Sequence, residues 1–249
     1  MKAFALAVRF LTVLPWPGAP ETPGPADFAK AVARFPFVGL VVGVLLVLID
    51  GALGLFFPLP VRSVGVVAAL ALLSGGLHLD GLADWADGMG GGDSPESRLR
   101  IMKDSSCGPM GAAAISLVLL VKYAALISLP GPGRWQALLV APVLARATMA
   151  VLLAFLPYAR PEGGTGAAFA QTVSPGEGYA AAGWALVLCV VLGGLGGLIA
   201  ALGAAAALTA GLRHLLRVKL GGGTGDAYGA GGELGEGLSL ALCAAWWGG

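Results

Sequence analysis

Between residues 75 and 92 the chain reads GGLHLDGLADWADGMGGG, with Asp80, Asp84 and Asp87 closing an apolar run in a sequence that has few charges elsewhere. At 100° per residue, a helix here places Asp84 about 40° from Asp80 and Asp87 about 20° from it on the other side. Three carboxylates then share one narrow stripe. Groups that close repel one another or hold protons unless a cation sits among them. A hard divalent cation, Mg²⁺ or Mn²⁺ as one ion or two, is the economical explanation. His78 just before the stripe is a packed residue, a phosphate contact or a catalytic one.

Two further segments carry polar chemistry. Arg98, Arg100, Lys103, Asp104 and Ser105 form a charged connection that runs into Cys107-Gly108-Pro109-Met110-Gly111, a glycine- and proline-marked helix start. Cations, a hydroxyl and backbone N–H groups at a helix N-terminus are what a phosphate or pyrophosphate requires. Asp104 there is a partner of Arg100 or Lys103, a further metal ligand or a general base. Residues 221–236, GGGTGDAYGAGGELGE, hold Asp226 and Glu233 seven positions apart, which is two turns of a helix that Thr224 can cap.

These groups must be positioned by membrane helices. Hydrophobic residues make up 57% of the chain and charged ones 12%, with mean hydropathy +0.84, far from the roughly one-quarter charged of a soluble domain. A net charge of +1 argues against nucleic acid as a partner. Cys107, Cys189 and Cys243 are too scattered for zinc or a disulfide framework and read as packing residues. Arg9 interrupts the first apolar run and no cleavage signal follows it. Residues 1–30 therefore read as a short interfacial helix and a Pro-rich linker, leading into one membrane domain, 1–249.

Apolar runs of spanning length lie near 36–57, 61–80, 110–129, 135–156, 179–216 and 228–247. The long 179–216 stretch is one helix or two joined at Gly193-Gly194-Leu195-Gly196-Gly197. Loop charge favours two. With the N-terminus cytoplasmic, Lys2, Arg9, Lys30, Arg34, Arg98, Arg100, Lys103 and Arg160 fall inside and only Arg62 and Arg134 outside. Two spans place Arg213, Arg217 and Lys219 inside as well. The expectation is an all-α polytopic bundle of about six to seven transmembrane helices, its acidic segments lining one cavity on the cytoplasmic face. Within the spans, Lys122 and Arg146 should face the protein interior, partnering Asp50 or a cluster acid, or touching substrate. Trp16, Trp246 and Trp247 read as interface anchors.

Carboxylates for a metal, donors for phosphate and a cavity beside lipid suit phosphoryl or nucleotidyl-phosphate transfer. The strings GGLHLDGLADWADGMGGG, RLRIMKDSSCGPMG and GGGTGDAYGAGGELGE, with the RFPFVGLVVG opening of the first span, resemble the signatures of the cobalamin synthase family, the adenosylcobinamide-GDP ribazoletransferases. The likeness covers nearly the whole chain. It implies a Mg²⁺-dependent enzyme of the bacterial inner membrane, with its active site facing the cytoplasm. In the implied reaction a ribose hydroxyl of α-ribazole, or of its 5'-phosphate, attacks the corrin-linked phosphate of adenosylcobinamide-GDP and GMP leaves. A homo-oligomer, or a complex with other cobalamin-assembly enzymes, is compatible with it.

Carried across, the family's motifs fall on His78, Asp80, Asp84 and Asp87, on Lys103, Asp104 and Ser105, and on Thr224, Asp226 and Glu233. The resemblance makes Asp80, Asp84, Asp87 and Asp104 candidate metal ligands, and Asp104, Asp87 and His78 candidate catalytic groups. Arg98, Arg100, Lys103, Ser105, Thr224, Asp226 and Glu233 are the candidate substrate contacts. Ser106-Cys107 departs from the pattern, which more often has an arginine and a small or aliphatic residue there; Arg98 or Arg100 would then take over its phosphate contact. Two rival readings remain. A CDP-alcohol phosphotransferase also uses helix aspartates, but Asp84 stands where its D-G-x-x-A-R motif needs another arrangement. A divalent-cation transporter lacks support from any inverted repeat.

Overall fold

A computed structural model describes residues 2–129, 131–160, 162–164 and 166–248, the Ala206 side chain excepted. Among the described residues it is all-α, with a single parallel bridge between Tyr158 and Gly223. The helices are α1 (Lys2–Leu11), α2 (Pro25–Val32), α3 (Phe35–Leu53), α4 (Leu59–Leu73), α5 (Leu77–Gly91), α6 (Pro95–Ile101), α7 (Pro109–Ile127), α8 (Gly131–Phe155), α9 (Ala167–Ala170), α10 (Pro175–Ala204), α11 (Gly211–Leu220) and α12 (Gly225–Trp247), with a π-helical stretch at Ala205–Ala210 before α11. Proline at the first turn of α2, α3, α4, α6, α7 and α10 marks their starts, where its missing N–H leaves nothing unsatisfied.

At the centre stands α8, packed by α3, α10 and α12. The approach of α3 is close. A Cβ on Gly39 would stand 2.3 Å from the Pro142 carbonyl oxygen, and one on Gly43 2.8 Å from that of Leu138. The Gly39-x-x-x-Gly43 spacing thus lets two backbones touch where van der Waals packing, not hydrophobic exclusion from water, must hold helices together.

Four stretches are long and apolar enough to cross a membrane, α3, α7, α8 and the 46-residue run Pro175–Leu220; α4 and α5 qualify only jointly. Two of the expected spans change shape, and the long run takes the two-helix form that loop charge favours. The run expected at 61–80 breaks at Gly75-Gly76, both at positive φ, and α5 leaves α4 at 86°. His78 and Asp80 therefore belong to a separate helix. In the long run, Gly194 (φ 55°, ψ −137°) reverses the chain, and a Cβ on Gly197 would meet the Cys189 carbonyl at 2.0 Å. Ala182 and Thr209, 27 positions apart, line one cavity, so the run is a helical hairpin rather than one long rod. Lastly, α12 is not apolar enough to qualify, because it carries Glu233 and Glu236 on its buried face.

The N-terminal linker is shorter than expected. Residues 25–32 are helical, and α1 does more than lie at an interface: Ala7, Val8 and Leu11 are fully buried. Trp246 is exposed, but Trp247 packs against Gly133 and Gly193 in the core. Cys189 and Cys243 are buried packing residues as expected, whereas Cys107 is exposed.

Candidate active site

Asp80, Asp84 and Asp87 all lie on α5, helical as their spacing requires. Gly81, between the first two, faces the start of α12 so closely that a Cβ there would stand 2.9 Å from the Asp226 carbonyl oxygen. One turn earlier on α5, His78 meets Gly229 in the same way, at 3.3 Å. Glycines on both helices thus bring Asp226 up beside Asp80 and Asp84. Asp84 consequently lies in the field of Asp80, Asp226 and Asp87, opposed by the guanidinium of Arg160.

The segment before α12 sets that register. Gly221, at φ +76°, turns the chain, and Gly223 N–H donates to Pro157 O (2.8 Å) while Ala159 N–H donates to Gly223 O (2.9 Å). The Thr224 hydroxyl accepts from Ala227 N–H at 3.1 Å and caps α12, the role its position predicts. Its side chain is buried in that role. The same bridge delivers Arg160, which had figured only as an inside charge: its Nη2 donates to Asp226 Oδ2 at 2.6 Å and to Met102 O at 3.3 Å. Nothing in the local sequence marks Arg160, since its partner is 66 residues away.

Asp87 has another task. Its two oxygens accept from Gly108 N–H and Gly111 N–H, both at 2.8 Å. Those are the N-cap and third helical positions of α7, where Gly108 has no side chain to offer. The carboxylate caps α7 from a neighbouring helix and answers its dipole. Both partners must be glycine, for a Cβ on either would lie within 2.5 Å of an Asp87 oxygen. The helix start expected to cradle a phosphate is therefore already occupied by Asp87.

Other expected residues stand apart from the acids. Glu233 is buried and ion-paired with Lys122 at 2.6 Å, while Glu236 takes Arg146 at 3.0 Å and Lys122 at 3.8 Å. Lys122 and Arg146 do face the interior, but their partners are these glutamates; Asp50 pairs instead with Arg134 at 2.7 Å and Arg62 at 2.9 Å. Asp104 is exposed, and hydrogen bonds from the Ser106 hydroxyl (2.6 Å) and N–H (2.9 Å) hold its carboxyl below the usual carboxylate range. Lys103 pairs with Glu162, which lowers the Glu162 carboxyl in turn. Ser105 and Arg100 are exposed, and Arg98 packs on Gly92 and reaches Lys219 O at 3.5 Å.

His78 is buried, lines a cavity of about 40 Å³ with Asp226, Tyr228 and Met149, and its Nε2 has no partner among the described residues. Lys122 and Arg146 lie within electrostatic reach of it. Among the described residues no three His, Cys, Asp or Glu side chains stand at metal-ligating distance as placed. The donor chemistry nonetheless fits a hard cation: Asp80, Asp84 and Asp226 converge from two helices with only one guanidinium among them.

The model of the cobalamin-5-phosphate synthase family matches residues 3–244. A Pseudomonas putida protein named adenosylcobinamide-GDP ribazoletransferase is 42% identical over 252 residues, covering 97% of this chain and all of that one. A Syntrophobacter fumaroxidans protein of the same name is 40% identical over 242 residues, 97% of each chain. A third so named, from a Roseiflexus species, is 40% identical over 94% of this chain and 86% of its own length. No solved structure matches. A family match over residues 3–244, with relatives about 40% identical over nearly the whole chain, places the chain among the cobalamin-5-phosphate synthases, and it belongs to that family.

Proposed function

We propose that this protein is an adenosylcobinamide-GDP ribazoletransferase, joining α-ribazole or its 5'-phosphate to the corrin-linked phosphate and releasing GMP. The observation that carries the site assignment is the meeting of Asp80 and Asp84 with Asp226 at the Gly81 contact, whereas the buried acids among the described residues, Asp50, Glu233 and Glu236, are held by interior cations.

Asp80, Asp84 and Asp226 are the residues that would hold Mg²⁺ or Mn²⁺. Bound there, the ion offsets charge on the diphosphate and the leaving GMP. In the reaction the ribose hydroxyl oxygen forms a bond to the corrin-linked phosphorus. The bond from that phosphorus to the bridging oxygen breaks, and GMP keeps the electron pair. The hydroxyl proton passes to a protein base. His78 suits that role, because its Nε2 is buried without a hydrogen-bond partner among the described residues, in a cavity it shares with Asp226. Lys103, exposed and paired with Glu162, is the cation left for the diphosphate at the cleft rim. Asp87 positions α7 rather than reacting. The acidic end of the bundle faces the cytoplasm of a bacterial inner membrane, where both substrates are soluble.

The test is incubation of purified protein with Mg²⁺, adenosylcobinamide-GDP and α-ribazole 5'-phosphate, with detection of GMP and the joined corrinoid. Both products are expected, and EDTA abolishes them. Turnover of CDP-diacylglycerol with none of the cobinamide substrate overturns the proposal.

A further inference from the structure

Arg160 is anchored differently from Arg134, and unlike Arg146, whose Nε is also unpartnered among the described residues, it is not sealed in the core. Arg134 reaches Asp50 through both Nε and Nη2 and gives its remaining branch to Leu126 O, so the fork is fully used. Both hydrogen bonds of Arg160 leave from one atom, Nη2, and its buried Nε–H has no partner among the described residues. Its side chain keeps 11% exposure and that of Asp226 19%, against 1% and 0% for Arg134 and Asp50. The backbone beneath it is fixed by the Tyr158–Gly223 bridge, so the side chain can swing without the loop moving. Asp84 and Asp226 both lie in its field together with Asp80, three carboxylates against this one guanidinium.

From this we infer that Arg160 is an exchangeable counter-ion. It pairs with Asp226 while the acidic cleft holds no cation, and it turns its unused donors to the substrate's diphosphate once a cation occupies Asp226. A planar fork with free N–H groups suits two phosphate oxygens, and a cation and Arg160 compete for one carboxylate. The inference rests on the metal-and-diphosphate reading above and adds the residue that couples the two ligands.

The experiment uses the full-length protein in detergent, with Arg160→Gln and Arg160→Lys. Arg160→Gln is expected to raise KM for adenosylcobinamide-GDP about 10- to 100-fold, the loss of charge-assisted hydrogen bonds, with a smaller change in kcat. In the same variant Mn²⁺ binding, read by electron paramagnetic resonance without substrate, becomes tighter, because a competitor for Asp226 is gone. Arg160→Lys keeps the charge and loses the fork, so its Mn²⁺ affinity stays near wild type while KM still rises. A merely structural Arg160 gives the opposite metal result, weaker binding together with a lower melting temperature. Weaker Mn²⁺ binding, or an unchanged KM in either variant, overturns the inference. If wild type binds no Mn²⁺, the metal assignment of the site fails and the exchange falls with it, whereas weaker Mn²⁺ binding in Arg160→Gln alone leaves the metal assignment standing. Should Arg160→Gln not fold, the KM of Arg160→Lys decides the role of Arg160.

Discussion

Two charged clusters lie within this apolar bundle, and they are built to opposite plans. Lys122, Arg146, Glu233 and Glu236 join α7, α8 and α12 in a network of two cations and two anions, every side chain at most 4% exposed. The cluster of Asp80, Asp84 and Asp226 has a single guanidinium, that of Arg160, set against it, and it is open to solvent at Asp80. A charge taken out of water must be matched, so the deep cluster is neutral by internal pairing. An unmatched cluster persists only where water, a cation or a substrate completes it. Charge balance and access, not residue type, separate the two glutamates of α12 from the aspartate at its start.

That distinction can be broken most forcefully in the deep cluster. Lys122→Met leaves Glu233 buried with its partner gone, and it should cost about 3–5 kcal/mol in denaturation measured in detergent. Adding Glu233→Leu should restore most of that loss, as expected for a pair whose net worth is small but whose halves are costly. If the single variant is as stable as wild type, the network is not the closed structural unit described.

The acidic cluster should respond in the reverse sense. Asp84→Asn is expected to lower GMP release at least about 100-fold while leaving the melting temperature near or above wild type, because it relieves repulsion among carboxylates. A loss of stability in step with activity would erase the contrast between the two clusters. The smallest effect belongs to the join between them. Thr224→Ala removes the cap of α12 and should cost about 1 kcal/mol of stability by thermal unfolding. Activity should fall with it, since Asp226 is two residues further on.

Much of the site was legible in the sequence because it depends on local periodicity. The stripe of Asp80, Asp84 and Asp87, the cap at Thr224 and the interior placement of Lys122 and Arg146 follow from 3.6 residues per turn and the cost of charge in lipid. The 86° break between α4 and α5 was less visible, since Gly75-Gly76 interrupts an apolar run without changing its hydropathy. The hairpin at Gly194 stood as one of two readings, favoured by loop charge, and its backbone reversal follows from a glycine at positive φ.

What the sequence determined by itself is the membrane bundle, the family and the residues able to do chemistry, because composition, spacing and motif are properties of the chain alone. Which carboxylates act together was decided by the tertiary structure. Glu233 and Asp226 share a helix but not a site, since a buried acid takes the nearest buried cation, and for Glu233 that is Lys122 from α7. Asp87 turns from its stripe to the N-terminus of α7, because backbone N–H groups left without a side-chain cap need an acceptor. Arg160 reaches Asp226 because a backbone bridge joins segments far apart in the chain. Contacts of that range leave no periodic trace in sequence, and only packing selects them.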